Sequence, residues 1–510
     1  MAIERHREVE RTFEVDPGTP LPPLVDEGGV VSSVQVAELA LEATYVDTAD
    51  LALARAGVTL RRRTGGSDDG WHLKLPRSGD SRIELHLPLG PAEGTVPEGI
   101  LASVRALVRD HPLVPVVRLS TRRIEHALRD EAGAVLALVC DDEVRAEQLP
   151  GADEVLEWRE WEVELVAGDE PLLDELDERL RRAGAEPADS ASKLARALAG
   201  RLPPPQSKPS AKALRRGTAA LAVRAHLTEH IARLHGQDGR VRSGEPGSVH
   251  KMRIATRRLR MALKTCGPLF EDDATTTLEG DLRRLGRVLS AARDAQVLRE
   301  RLRDLVSTQP PELVMGPVGV LIDDELSVAE QAGRRNAVAA LEDARYFRLL
   351  DDLDAFVRDL PVTDEGDRPA HRVLPGLLRR DAKRVQRAVK HVRRAEPGEA
   401  HDAALHEVRK KAKRLRYAAE LAVPVLRKPA TKLASAAKEV QQALGEHQDT
   451  VMSREFLREH GARSHAEGLN GFTLGRLHAI EEARAEAATK DFDRAWADLD
   501  ISRVRKRLGG

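Results

Sequence analysis

The sequence predicts two domains: an α+β domain built as an antiparallel β-barrel, and an all-α helical bundle with an internal duplication. Before residue 200, short segments of period-two alternation are separated by Gly and Pro. After residue 210, long Ala-, Leu-, Arg- and Glu-rich runs have a helical period. The charge also changes sign: residues 1–200 contain 23 Lys+Arg and 39 Asp+Glu (−16), which leaves 58 and 44 (+14) for residues 201–510. We therefore expect two domains with different partners.

The composition narrows the class of protein. Of the 510 residues, 32% are charged and 3% aromatic, which favours a helix-rich protein in an aqueous compartment. The first 14 residues lack the apolar core of a signal peptide, and no run of 18 apolar residues predicts a membrane span. Cys140 and Cys266 lie in different segments without metal-type spacing. We expect a cytoplasmic protein that does not bind membranes.

The Pro-rich segment 201–210 is the predicted linker between domain 1–200 and domain 211–510. In the first domain, helices are expected near Val34–Ala43, Gly99–Asp110 and Pro171–Ala183. Strands are expected at Glu8–Val15, Gly57–Arg63, Trp71–Leu75, Arg82–Leu87, Val116–Leu128, Ala134–Val139 and Trp158–Val166. In the second domain we expect two repeats, about 211–360 and 370–508, and a loop at 236–247.

Two rows of cations carry the duplication. His250, Arg253, Arg257, Arg260 and Lys264 recur at spacings of three and four, so they share one helix face. The row recurs as His406, Arg409, Lys413 and Arg416, in each case opposite an apolar face. Like charges at these spacings destabilise a helix by about 0.2–0.5 kcal/mol per pair. A bound polyanion would relieve this repulsion, whereas a solvated bundle face is the simpler interpretation of a single row.

Phosphate chains suit these rows better than nucleic acid does. Arg forks and Lys ammonium groups both match phosphate oxygens. Aromatic side chains on which bases stack are missing from the rows, and no DNA-reading motif accompanies them. We therefore expect polyphosphate as the partner and no specific nucleic acid.

The duplicated segments, of pattern H-x-x-R-x-x-x-[RK]-R-L-R, resemble the CHAD family over roughly residues 211–508. The resemblance implies two four-helix units related by pseudo-symmetry and the binding of inorganic polyphosphate. Carried over by position, the two rows described above would supply the contacts.

Several strands of the first domain carry charge on one face only. Glu160, Glu162 and Glu164 alternate with apolar residues, as do Arg82, Glu84 and His86. A sheet with one wet face explains any single strand. Taken together, the acidic and basic strands would surround one ligand if a barrel closed around them. Carboxylates there would hold Mg²⁺ or Mn²⁺, and the cations would hold phosphate oxygens.

This half is similar to the CYTH family of triphosphate tunnel metalloenzymes over about residues 3–200. The matching motifs are Glu8-Val-Glu10, Tyr45-Val-Asp47-Thr48, Leu60-Arg61-Arg62-Arg63, His72-Leu-Lys74, Asp141-Asp142, Glu160-Trp-Glu162-Val-Glu164 and Ser192-Lys193. The resemblance implies an eight-stranded tunnel with catalytic roles for Glu8, Glu10 and Lys74. It implies metal ligation by Glu8, Glu10, Asp142, Glu162 and Glu164, and substrate binding by Arg61, Arg63, Lys74, Arg82, Arg123 and Lys193. Arg122 and Arg123, and likewise Asp141 and Asp142, remain alternatives, since a one-residue slip reverses the facing.

The order CYTH then CHAD resembles bacterial inorganic triphosphatases, so the first hypothesis is metal-dependent hydrolysis of inorganic triphosphate or a related triphosphate. One departure favours a second hypothesis: the family pattern Glu-x-Glu-x-Lys ends here in Thr12. Without that cation, the chain would be a non-catalytic polyphosphate-binding protein with a degenerate tunnel, associated with granules or regulatory. Adenylyl cyclase-like activity is a third hypothesis, for which no nucleoside-binding motif is present.

Overall fold

The computed structural model describes residues 3–26, 28–76, 80–90, 94–151, 155–190, 192–203 and 208–499. The chain forms two compact units, Met1–Gln206 and Ser207–Gly510. Residues 204–207 of the predicted linker lie outside the described part of the chain. No helix among the described residues has the length and apolar character needed to cross a membrane.

The first unit is a closed antiparallel β-barrel, which confirms the predicted fold class. Its strands are β1 (Glu4–Val15), β2 (Ser32–Asp47), β3 (Thr59–Thr64), β4 (Gly70–Lys74), β5 (Ser81–Pro88), β6 (Val114–Arg129), β7 (Val135–Gln148) and β8 (Val155–Leu165). The strand order is β5-β4-β3-β2-β6-β7-β8-β1, and pairing of β1 with β5 closes the sheet. The short strand β9 (Glu186–Pro187) extends β1.

Alternation along the strands places charge inside the barrel and apolar residues outside it. The helices α1 (Ala52–Arg55), α2 (Glu98–Val108), α3 (Glu170–Arg182) and α4 (Lys193–Ala197) belong to this unit. Leu172, Leu176 and Leu180 of α3 pack with Phe13 and Trp161 in one buried core. A second core joins α2 to β3 and β4. The large apolar cores therefore lie between the barrel wall and its helices, which leaves the interior polar.

The helix expected at Val34–Ala43 is wrong, because these residues belong to β2. Ala, Leu and Glu favour helices in isolation, but β2 pairs with β6 from Ser32 to Asp47 and with β3 from Glu42 to Tyr45. Pairing on both edges overrides an intrinsic preference of this size.

The second unit is all-α within its described residues. It contains α5 (Ala211–Arg216), α6 (Ala219–Arg242), α7 (Ser248–Cys266), α8 (Thr276–Ser307), α9 (Val318–Leu341), α10 (Ala344–Asp359), α11 (Asp364–Asp367), α12 (Ala370–Val392), α13 (Glu399–Leu426), α14 (Lys428–Ala466) and α15 (Phe472–Asp498). Helix α6 continues to Arg242, so most of the loop expected at 236–247 is helical. Two interior glycines there did not end the helix, because Leu234, Asp238 and Val241 remain buried along it.

The starts of α6 and α12 reveal the internal duplication. Thr218 and Pro369 form an antiparallel bridge. The backbone N–H of Ala219 donates to Arg368 at 2.9 Å, and that of Ala370 donates to Gly217 at 3.0 Å. This reciprocal pair of bonds relates the starts of α6 and α12 by a local two-fold axis, as expected if each is the corresponding helix of its repeat.

Candidate tunnel site and basic groove

The barrel surrounds a cavity of about 720 Å³ in which charged side chains from the strands and from α4 make up about half of the lining residues. Of the residues predicted to act in the first domain, the lining includes Glu8, Glu10, Arg61, Arg63, Lys74, Arg82, Arg123, Glu162, Glu164 and Lys193. Asp142, also predicted, is fully buried beneath it and pairs with two of the lining cations. The structure thus brings the whole predicted set to one place.

One group of charges is centred on Lys74. Its ammonium lies 2.8 Å from Glu8 Oε2 and 3.9 Å from Glu84 Oε2. Burial and a hydrogen bond shared with Glu84 raise the pKa of Glu8 to about 8. Burial alone would raise the pKa of Glu84 too, but the His72 hydrogen bond and the Lys74 charge hold it below its usual range. Glu8 and Glu84 therefore share a proton near neutral pH.

His72 fixes the position of Glu84. Its Nε2 lies 2.9 Å from the backbone oxygen of Asp68, and its Nδ1 lies 2.8 Å from Glu84 Oε1. Because a carbonyl oxygen only accepts, Nε2 donates to Asp68, and the hydrogen bond between Nδ1 and Glu84 contains a further proton that is carried by either the ring or the carboxyl. The ring therefore orients Glu84 toward Lys74.

A second group of charges is centred on Lys193. Its ammonium lies 2.6 Å from Glu160, 2.6 Å from Glu162 and 2.9 Å from Asp142. Arg123 contacts Asp142 and Glu162, each at 2.6 Å. Burial would lower the pKa of Lys193, but the three carboxylates raise it well above the ordinary value. The Ser192 side chain caps α4 by accepting from Ala195 N–H, which places Lys193 at the first helical position, inside the barrel.

The predicted metal ligands divide between these two groups. Carboxylate oxygens of Asp142, Glu160 and Glu162 lie within 4.8 Å of one another, but the Lys193 ammonium already contacts all three. Glu10 faces Glu164 directly across β1 and β8, and Glu8 follows on the same face. Burial raises the pKa of Glu164 as well as that of Glu8. Oxygen-only donors fit a hard divalent cation, and Glu8, Glu10 and Glu164 offer such donors on neighbouring strands, beside Lys74 and Arg82.

The remaining predicted cations line the other walls. Arg61 donates to the Tyr45 hydroxyl at 3.2 Å, Arg63 pairs with Asp68, and Arg82 Nε lies 3.4 Å from Glu10 Oε1. Asp47, also in the matching motif, instead accepts hydrogen bonds from the backbone of Thr48, Leu53 and Ala54. It therefore holds the turn into α1, outside the tunnel.

The strand registers decide the two open alternatives. Arg123 and Asp142 face inward, whereas Arg122 is exposed beside Glu38 and Asp141 pairs with Arg159.

Thr12 lines the cavity opposite Glu162. Its neighbour Arg11 points out of the barrel to Asp80 and Asp174, so it does not replace the missing lysine.

Sequence reasoning missed Glu84 and Glu160 as site residues. Both had been placed on the charged faces of their strands, which was the available signal. Their role depends on contacts with His72, Lys74 and Lys193 from other parts of the chain, which appear only when the barrel closes.

In the second unit, α7 and α13 bring the two predicted rows together. We call the space between Arg253, Arg257, Arg409 and Lys413 the basic groove. Arg253 reaches α8, where it contacts Ser290 at 3.2 Å and Asp294 at 2.8 Å. Arg257 Nε donates to the Tyr417 hydroxyl at 3.0 Å. The cations of the two repeats therefore face each other rather than diverging into solvent.

Crowding in the basic groove changes the charge state of Lys413. Burial, followed by the charges of Arg409, Arg257 and Arg253, lowers its pKa to about 6. The pKa of Arg409 is lowered by burial, and by Arg257 and Arg253, against the opposing pull of Asp449. A crowded group of cations that outnumbers the carboxylates beside it, here Asp294 and Asp449, is the electrostatic signature of an anion site.

The other predicted members lie at the ends of the rows. His250 and His406 are half-buried, and His406 contacts Gln448. Arg260 lies near Arg283 and Glu279, and Lys264 near Arg414 and Lys411. Arg416 donates to Glu420 at 2.7 Å and to Gln441 at 3.3 Å, so it has partners within its own repeat.

One aromatic residue adjoins the rows. The Tyr417 ring lies 5.3–5.6 Å from the guanidinium carbons of Arg257, Arg258 and Arg416. It is only 5% exposed, so its face is not available to a nucleic-acid base.

Comparison with known proteins agrees with both resemblances. Residues 6–198 match the CYTH domain, and residues 225–458 match the CHAD domain. A Mycobacterium tuberculosis protein, Uncharacterized protein MT2285, is 38% identical over 521 residues, covering 98% of each chain. The chain belongs to the CYTH–CHAD family.

Solved structures give more distant matches. PptA from Streptomyces chartreusis is 21% identical, with a TM-score of 0.47, and the match covers 55% of this chain and 99% of PptA. The CHAD domain from the plant Ricinus communis is 23% identical, with a TM-score of 0.41, over 58% of this chain and 93% of that domain. The CYTH domain of the present chain contains the tunnel, and its CHAD domain contains the basic groove.

Proposed function

We propose that the CYTH tunnel hydrolyses inorganic triphosphate or a related triphosphate with Mg²⁺ or Mn²⁺, and that the basic groove binds polyphosphate. The observation that carries the proposal is a single cavity lined both by Arg61, Arg63 and Arg82 and by a set of buried carboxylates. Cations alone would bind phosphate. Carboxylates in the same cavity would repel it unless a metal ion intervened.

Three groups of tunnel residues would have different roles in the reaction. Glu8, Glu10 and Glu164 would hold the metal ion, which neutralises phosphate charge and activates water when bound. Arg61, Arg63, Arg82 and Lys74 would bind and orient the phosphate oxygens. The Lys193 group, already neutralised by its own carboxylates, would keep β7, β8 and α4 in register. Exclusion of water by the barrel strengthens each of these interactions.

Thr12 supports the second candidate, a polyphosphate-binding protein with a degenerate tunnel. The family lysine would place another ammonium opposite Glu162, and neither Thr12 nor the outward Arg11 supplies it. In that case the basic groove would carry the function alone.

Phosphate release from tripolyphosphate, with and without Mg²⁺ or Mn²⁺, tests the proposal. We expect Glu8→Ala/Glu10→Ala to lower the rate by about 100-fold, because it removes two ligands of the metal ion. The matched control is Glu38→Ala/Glu42→Ala, which removes two exposed glutamates from the outer face of β2. Metal-dependent release that is equal in both double variants, or no release by the wild-type chain, would rule out hydrolysis in the tunnel.

A further inference from the structure

Helix α12 carries a row of exposed cations that belongs to neither of the duplicated rows. The α12 stripe consists of Arg380, Lys383, Arg384, Arg387 and Lys390 on the helix and Arg394 in the turn just after it, at spacings of one to four residues and all exposed. The opposite face of α12 is buried through Val373, Leu377, Val385 and Val389. The helical part of the stripe, from Arg380 to Lys390, extends over about 15 Å, at 1.5 Å per residue.

Internal partners do not neutralise the α12 stripe. Arg384 contacts Asp381, and in the described part of the chain no carboxylate lies within ion-pair distance of the other five. Lys383 and Arg387, or Arg387 and Lys390, are helix neighbours of like charge, each pair costing about 0.2–0.5 kcal/mol. The folded protein therefore maintains a repulsion that a bound polyanion would remove.

The equivalent helix of the first repeat lacks this feature. Helix α6 contains four Lys+Arg and two Asp+Glu, whereas α12 contains seven and one. Both acids of α6 pair with an arginine four residues later, Glu229 with Arg233 and Asp238 with Arg242. Because α6 has a net charge of +2 (4 − 2) and α12 one of +6 (7 − 1), the stripe is a property of α12 and not of the repeat.

The α12 stripe is linked to the basic groove. Lys264 ends the α7 row, and its backbone oxygen accepts from Arg414 at 2.8 Å. Arg414 Nε donates to Asp381 Oδ2 at 3.1 Å, while the other oxygen of Asp381 accepts from Arg384 of the stripe. The cations thus continue from α7 past α13 to α12.

We propose that the α12 stripe is a second phosphate-binding surface, along which a polyphosphate chain continues after it leaves the basic groove. The proposal rests on polyphosphate binding in the groove. It adds selectivity for length: a chain that ends within the groove gains nothing from α12, and a longer one gains further contacts.

Other polyanions fit the stripe less well. The apolar face of α12 is buried in the bundle, so the helix has nothing to insert into a membrane. Residues 370–394 contain no Phe, Tyr or Trp on which bases could stack in succession, and their two histidines, His371 and His391, are 20 residues apart. The phosphates of a rigid duplex follow two strands, while the stripe is one helix wide. A flexible single chain of phosphates matches this shape.

The test compares short and long polyphosphate, about 10 and about 100 units, because only a chain long enough to reach both surfaces gains from their linkage. Binding to the full-length protein is measured in EDTA to prevent hydrolysis. In Arg380→Gln/Lys383→Gln/Arg387→Gln/Lys390→Gln we expect the long chain to bind on the order of tenfold more weakly, with a salt slope smaller by about 3. The short chain should change less than about twofold.

The matched control, Arg335→Gln/Arg358→Gln/Lys432→Gln/Lys438→Gln, removes four exposed cations that are dispersed over the bundle. Equal effects of the two quadruple variants, or no loss of long-chain affinity in the α12 variant, would show that the α12 stripe does not bind polyphosphate. Neither result would contradict polyphosphate binding in the basic groove. Tighter binding of duplex DNA than of long polyphosphate would likewise contradict the proposal for the α12 stripe. Absence of any polyphosphate binding by the wild-type chain would remove both proposals.

The thermal midpoint of unfolding distinguishes a loss of binding from a loss of folding in the α12 variant. It should be unchanged or higher in that variant, since repulsion between the cations is removed.

Discussion

At the scale of single residues, Thr12 decides between the two candidate functions. It faces the cavity opposite Glu162, whose nearest cations, Arg123 and Lys193, are already committed to Asp142 and Glu160. A hydroxyl carries no charge to match developing negative charge on phosphate. The tunnel therefore retains its binding cations and lacks one that neighbouring residues do not replace.

Restoring that cation is the most direct residue-level prediction. We expect Thr12→Lys to raise kcat/KM for tripolyphosphate by about tenfold, because one more preorganised cation stabilises the transition state. Thr12→Met is the control, because a methionine side chain occupies about the same space as a lysine side chain but carries no charge. Both are measured as phosphate release with Mg²⁺ or Mn²⁺. An equal gain with methionine would assign the effect to packing, and no gain with lysine would show that turnover is not limited at this position.

Regular alternation along the strands predicted which side chains line the cavity. It did not predict the contacts that form between strands when the barrel closes. Glu8, Arg61 and Lys193 were predicted to share one site and do line one cavity. The proton shared by Glu8 and Glu84, and the anchoring of Glu84 by His72, depend on pairing of β1, β4 and β5. A single strand holds no information about which partner it will face, so these contacts could not be predicted from the sequence.

At the scale of elements, α7 and α13 are joined through Tyr417. Arg257 Nε donates to its hydroxyl, so this bond fixes the position of the Arg257 guanidinium, one of the four cations that define the groove. We expect Tyr417→Phe to weaken long polyphosphate binding by about fivefold, the cost of about 1 kcal/mol in positioning. Fluorescence titration with polyphosphate in EDTA measures the effect.

Tyr346→Phe is the matched control for Tyr417. Its hydroxyl is also buried and donates to Asp238 at 2.8 Å, away from the two rows. That variant should lower the thermal midpoint and leave polyphosphate affinity unchanged. Loss of affinity in proportion to stability in both variants would mean that Tyr417 only supports the fold.

Contacts between elements explain why the helices predicted in two segments of the first domain formed, whereas the one predicted in a third segment did not. Helices near Gly99–Asp110 and Pro171–Ala183 appear as α2 and α3, because each has an apolar face to bury against the barrel. Val34–Ala43 has a helix-favouring composition, but its residues pair with β6, and Glu42 and Ala43 pair with β3 as well. Long-range pairing of this kind is invisible to local propensity.

At the scale of the whole molecule, the charge division between residues 1–200 and 201–510 corresponds to two different electrostatic designs. The tunnel encloses its charges and pairs most of its cations with carboxylates, as the Lys74 and Lys193 groups show. The basic groove and the α12 stripe present cations with few carboxylates. Interactions of enclosed charges are screened less by salt than those of exposed ones.

The two activities should therefore respond differently to salt in one preparation. Between about 50 and 200 mM KCl, four phosphate contacts in the basic groove predict a loss of affinity of about 50-fold for short polyphosphate of about 10 units, since each contact contributes a log–log slope near −0.7. The KM for tripolyphosphate in the tunnel should change less than about threefold over the same range. Sucrose at matched osmolality controls for effects unrelated to screening. Equal weakening of both quantities would place tripolyphosphate and polyphosphate on the same exposed surface, and an unchanged polyphosphate affinity would mean that the groove cations do not contact phosphate.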